Sequence, residues 1–128
     1  MIVLTVLVID EDILGRQAVA NILQKEPNLD IRVSGDLETA VEKVQSLNPD
    51  ILLLNIHTPD NSGVSVLRAL NARYPDLPIV VMTPRSREGA RQALYALHHG
   101  AVDVITKPEQ SSLLLFAGRH LVKRLRPS

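Results

Sequence analysis

The chain lacks cysteine and tryptophan, has only two tyrosines and one phenylalanine, and carries no excess charge, with 14 acidic and 14 basic residues among 128. Each shortage excludes something. Without cysteine there is no disulfide, no zinc–thiolate centre and no thiol nucleophile, and the composition fits a reducing compartment. With aromatics at 2%, the core must be built from Leu, Val, Ile and Ala, and there is no set of rings on which single-stranded bases could stack. A formal net charge of zero gives no global attraction to nucleic acid or anionic membranes. The opening stretch "MIVLTVLVIDED" is apolar but too short to span a bilayer. It also lacks a basic leader and a small-residue cleavage site. The expectation is a cytoplasmic, soluble, single domain over residues 1–128.

What is present is an apolar fraction of 45%, ordinary for a globular chain and sufficient for one core. Five short apolar runs recur: Val3 to Ile9, Ile31 to Val33, Ile51 to Leu54, Ile79 to Met82, and Val102 to Ile105. The first, third and fourth are nearly continuous in Val, Leu and Ile, as in strands covered on both faces. Between them lie segments with helical spacing. These are Ile13, Val19, Ile22 and Leu23; Leu37, Ala40, Val41 and Val44; Val64, Val66, Leu67 and Leu70; and Ala90, Ala93, Leu94 and Leu97. A last helix is expected from about Gln110 to Arg126.

Pro27, Pro49, Pro75 and Pro78 fall between these elements, and Gly100 follows the fourth helix at a natural cap position. Alternating strands and helices with short connections predict a doubly wound parallel sheet.

In an open parallel sheet, ligands gather outside the carboxyl ends of the strands. The first strand delivers Asp10, Glu11 and Asp12 there, the third Asn55, the fourth Thr83, and the fifth Lys107 followed by Pro108. Adjacent carboxylates repel unless a cation lies between them, and hard oxygen ligands suit magnesium. A hydroxyl and an ammonium across the pocket suit an anion such as a phosphoryl group. A cation site beside an anion site is what phosphoryl transfer needs. No one of these residues is specific; the ordered set is.

Through "VLVIDED", "PDILLLN", "TPDNSG", "PIVVMT" and "GAVDVITKP", the sequence resembles the receiver domains of two-component response regulators over nearly its whole length. "MTPRSREGARQAL" and "GAVDVITKP" lean toward the receivers of chemotaxis methylesterases. The resemblance implies a (βα)5 flavodoxin-like fold with strand order 2-1-3-4-5. It implies magnesium held by Asp10, Glu11, the residue at position 55 and the backbone carbonyl of His57. Thr83 would bond a phosphoryl oxygen, Lys107 would pair with the phosphoryl group, and the Lys107–Pro108 bond would be cis.

The implied partners are a sensor histidine kinase or phosphotransfer protein, an output domain or effector, and a second copy bound through the face of helix four, strand five and helix five. Neither nucleic acid nor membrane is an expected partner of this domain.

Three residues depart from the family pattern. The acceptor aspartate aligns with Asn55, and an amide oxygen is a poor nucleophile toward phosphorus. The expectation is weaker magnesium binding and no stable phosphorylation. Val104 stands where receivers often carry a switching Tyr or Phe, and Pro84 follows Thr83 where a small residue is usual. Two origins of Asn55 stay open: a natural pseudo-receiver that acts as a protein-interaction module, or an engineered replacement in an ordinary receiver.

Other readings of the same residues are weaker. Asp10 with Asp12 faintly suggests a haloacid-dehalogenase-type phosphatase, but Leu14 stands where that family wants Thr or Val. His57, His98, His99 and His120 share no ligand spacing and are expected to be structural or solvated. Arg119, Lys123, Arg124 and Arg126 suit the carboxyl end of the last helix.

Overall fold

The computed structural model describes residues 3–106. Strands and helices alternate: β1 (Leu4–Ile9), α1 (Ile13–Gln24), β2 (Leu29–Ser34), α2 (Ala40–Leu47), β3 (Ile51–Asn55), α3 (Ser62–Arg73), β4 (Ile79–Thr83), α4 (Arg87–His98) and β5 (Asp103–Thr106). All neighbouring strands pair in parallel, in the order β2-β1-β3-β4-β5. Fold class and strand order are those the sequence implies. The last helix expected from about Gln110, the Lys107–Pro108 peptide and His120 lie outside the described residues.

The two-residue period of a strand sends neighbouring side chains to opposite faces. Leu7, Ile9, Leu52, Leu54, Ile79 and Val81 meet Ala40 and Val44 of α2, Leu67 and Leu70 of α3, and Ala96 of α4. Val6, Val8, Ile51, Leu53, Val80 and Met82 form a second cluster with Val19 and Leu23 of α1. Each central strand therefore serves two cores, which is why β3 and β4 are buried along their whole length.

Three asparagines, Asn28, Asn48 and Asn61, take left-handed backbone conformations at junctions between elements, which their short polar side chains tolerate. Gly100, with φ 105°, ends the α4 connection as its position suggested.

Two helical faces differ from the periodic reading. On α4 the buried residues are Gly89, Gln92 and Ala96, while Ala90 is exposed and Leu94 and Leu97 are 67% and 51% exposed. The helix turns its small residues inward because it lies close to the sheet. A Cβ on Gly89 would collide with the carbonyl of Pro84, so only glycine permits that approach. On α1, Ile13 is exposed beside Leu14, and the helix buries Val19, Ala20 and Leu23 instead.

Leu67→Ala is therefore expected to cost about 2–5 kcal/mol. Leu94→Ser should stay within about 0.5 kcal/mol of the parent. Urea midpoints of the two variants against the parent check which leucines the fold depends on.

Candidate functional site at the carboxyl edge of the sheet

The residue after β1 is Asp10, whose side chain is fully buried. Its N–H donates to the Ser34 carbonyl at 3.0 Å, and its own carbonyl accepts from Arg16 Nη1 at 2.9 Å. Its Oδ1 accepts from the Asp12 N–H and from Asn55 Nδ2, each at 2.9 Å. A buried carboxylate is costly unless its oxygens are bonded, and these donors meet that need.

Asn55 closes β3 at 8% exposure. Its Oδ1 accepts from the His57 N–H at 3.2 Å. A backbone N–H can only donate, so the amide oxygen must face His57 and the NH2 must face Asp10. The two contacts fix one orientation between them.

Thr83 ends β4 at 2% exposure. Asn55 pairs with Met82 in the ladder, so Thr83 stands one step further out on the same edge. Glu11 and Asp12 are exposed at its rim.

After Asn55 the Ile56 N–H still donates to Met82, extending the ladder by one bond at 3.2 Å. The loop then turns on Thr58, a buried residue whose Oγ1 accepts from the Gly63 N–H at 3.1 Å and from Ser62 Oγ at 3.3 Å. Asp60 accepts from the Ser62 N–H at 3.1 Å. The Ser62 hydroxyl, with that N–H, holds the Asp60 carboxyl below its ordinary pKa. The far wall is the β4–α4 loop, where Ser86 caps α4 by accepting from the Gly89 N–H at 3.0 Å.

The fold thus brings Asp10, Glu11, Asn55, His57 and Thr83 to one edge, while Lys107 and Pro108 lie outside the described residues. Val104 pairs with Val81 and packs against the core, an aliphatic plug in place of a mobile ring. His98 is exposed, and His99 lies against Tyr95 with ring centroids 4.0 Å apart. Among the described residues, no three His, Cys, Asp or Glu side chains gather as a metal site.

Four residues of this neighbourhood escaped the sequence reading: Arg16, Ser34, Thr58 and Gln92. Ser34 was within reach, because it is what β2 delivers to the same edge, and Thr58 lies inside the loop motif itself. Arg16 and Gln92 carry no local signal, since each meets its partner across a gap in sequence.

The oxygen donors that the family resemblance implies, the Asp10 and Glu11 carboxylates and the His57 carbonyl, fit magnesium in kind. Asn55 fits less well. It offers Asp10 an N–H where an aspartate would offer the cation another oxygen.

A five-stranded parallel sheet in this order, with acids and an amide at its carboxyl edge, is the architecture of the flavodoxin-like class. The chain belongs to the response regulator receiver domain family, which residues 6–117 match. It is 38% identical over 103 residues to protein-glutamate methylesterase/protein-glutamine glutaminase 3 of Vibrio cholerae, covering 80% of this chain and 28% of that protein. It is likewise 38% identical to the methylesterase/glutaminase of Archaeoglobus fulgidus, over 81% of this chain and 30% of the relative. The chain thus spans under a third of these relatives.

Among solved structures, the response regulator domain of Thermotoga maritima CheB superposes with a TM-score of 0.81 at 28% identity, covering 95% of this chain and 92% of that one. The receiver domain of Brucella abortus NtrX, at 24% identity and a TM-score of 0.74, shares the fold. It covers 92% of this chain and 98% of its own. The lean of the sequence toward methylesterase-type receivers agrees with these relatives.

The depressed Asp60 pKa gives a signed expectation. A carboxyl whose folded pKa is lowered stabilises the fold above its unfolded value, and that contribution is lost as pH falls through the lowered folded value. Ser62→Ala should move the Asp60 pKa back toward its ordinary value, leaving the part due to the Ser62 backbone N–H. Carboxyl-carbon chemical shifts followed through an acid titration read the change.

Proposed function

We propose that this chain is a receiver held unphosphorylated by its own acceptor position. Receiving a phosphoryl group from a kinase is the general role of the family. The observation behind the proposal is the 2.9 Å hydrogen bond from Asn55 Nδ2 to Asp10 Oδ1. An aspartate at position 55 would set a second carboxylate against Asp10, a repulsion relieved by a cation. The amide removes that repulsion and supplies a donor instead, so the pair is satisfied without metal. It also replaces a carboxylate nucleophile with a neutral oxygen that already accepts from His57. The same conclusion holds whether Asn55 is natural or introduced.

Magnesium, when bound, would be held by Asp10, Glu11 and the His57 carbonyl, and would supply charge neutralisation at a phosphoryl group. Binding would be weaker than in an aspartate-bearing receiver, because the site has one negative charge fewer and the cation competes with the Asn55 N–H. Thr83 and Lys107 would hold the phosphoryl oxygens.

The partners consistent with this reading are a sensor histidine kinase or phosphotransfer protein on one side and an output domain or effector on the other. A homodimer through the face that includes α4 and β5 would use the outward Leu94 and Leu97. A cytoplasmic setting suits such partners. Among the described residues, no helix is long and apolar enough to cross a membrane.

A phosphatase of the haloacid-dehalogenase type does not survive the family assignment. Its would-be nucleophile, Asp10, is fully buried and engaged by the Asp12 N–H and the Asn55 amide.

Intact-mass analysis after treatment with acetyl phosphate and magnesium tests the proposal on this chain beside Asn55→Asp. The expected result is a phosphoryl adduct on Asn55→Asp alone. Adducts on neither chain would mean the pocket has changed beyond position 55, leaving a phosphorylation-independent interaction module. An adduct on the parent would mean the acceptor lies elsewhere. In metal-free buffer at neutral pH, Asn55→Asp should be less stable than the parent by about 1–3 kcal/mol. Magnesium should restore it while shifting the parent little, as differential scanning calorimetry with and without the metal would show.

A further inference from the structure

Gln92 is a polar side chain on the buried stripe of α4, at 8% exposure, between Gly89 and Ala96. A buried amide has to be hydrogen-bonded, and its Oε1 lies 3.2 Å from His57 Nδ1. His57 has a second connection, because its backbone N–H donates to Asn55 Oδ1. One residue thus ties helix α4 to the side chain at the acceptor position. The line runs from Asp10 through the Asn55 amide and the His57 backbone to the His57 ring and Gln92. Helix α4 is itself held firmly, packed on β4 and β5 and capped by Ser86.

Val104 cannot supply the usual alternative. It has no ring to move and sits against the core.

We propose that Gln92 is a positioning residue of the site. By holding the His57 ring it sets the backbone whose N–H orients the residue at position 55. The coupling is reciprocal, so a partner seated on α4 is felt at the site and a change at position 55 is felt on α4. The inference rests on the preceding reading only in taking position 55 as the phosphoryl-accepting position.

The test compares the parent with Gln92→Leu, which removes the acceptor, and Gln92→Glu, which keeps one at the same reach. In 15N–1H spectra, Gln92→Leu should displace the Asn55 side-chain amide and the His57 backbone amide, and Gln92→Glu should return them toward the parent positions. In the Asn55→Asp background, Gln92→Leu should weaken magnesium binding about tenfold, as loss of a supporting contact around a metal site does. Calorimetric titration with the metal alone reads this.

Unmoved resonances together with unchanged magnesium affinity would overturn the proposal and leave Gln92 as packing. Should Gln92→Leu fail to fold, His57→Ala cuts the same bond from an exposed position. It must then move the Asn55 side-chain amide and weaken the metal, or the proposal falls. If Asn55→Asp fails to take up phosphoryl, the reading of position 55 fails, yet the resonance comparison in the parent still decides the role of Gln92.

Discussion

The carboxylate of Asp10 is the constraint around which the carboxyl edge is arranged. It is buried completely, and an uncompensated charge there would cost several kcal/mol. Each element nearby contributes to its relief. The turn into α1 supplies the Asp12 N–H, and β3 delivers the Asn55 amide. Arg16 and Ser34 hold the Asp10 backbone in place from α1 and β2. With aspartate at position 55, a second carboxylate would stand against Asp10. This chain offers Asp10 a hydrogen-bond donor instead, the Asn55 amide at 2.9 Å.

The sheet makes that contact possible. Strands buried on both faces allow little movement at their ends, so Asn55 and Thr83 are delivered with small positional freedom. The loops carry the adjustable parts, and each is tied by a side chain: Thr58 and Ser62 after β3, Ser86 before α4. Pro84 adds stiffness after Thr83, and its carbonyl packs so closely on α4 that only glycine fits at position 89. With the aliphatic Val104 packed against the core, a polar link between site and helix is present in His57 and Gln92.

The family match and the similarity to methylesterase-type receivers place the chain among response regulator receiver domains, with asparagine at position 55. The relatives extend well beyond the matched region, and their named activities are those of the longer proteins.

The amino-acid sequence by itself determined the alternation of elements, the parallel sheet, its strand order through the resemblance, and the polar set at one edge. These follow from short-range periodicity and from the rule that such sheets present their loops at the carboxyl ends, both written locally in the chain. It also exposed Asn55 as the departure. Tertiary structure alone decided which face of α4 is buried, because closeness to the sheet favoured Gly89 and Ala96 over the more apolar Leu94 and Leu97. It alone decided that the Asn55 amide points its N–H at Asp10. Hydrogen bonds between residues 35 or 45 positions apart, such as His57 to Gln92 and Asn55 to Asp10, leave no periodic trace. They exist only once the strands and helices have packed.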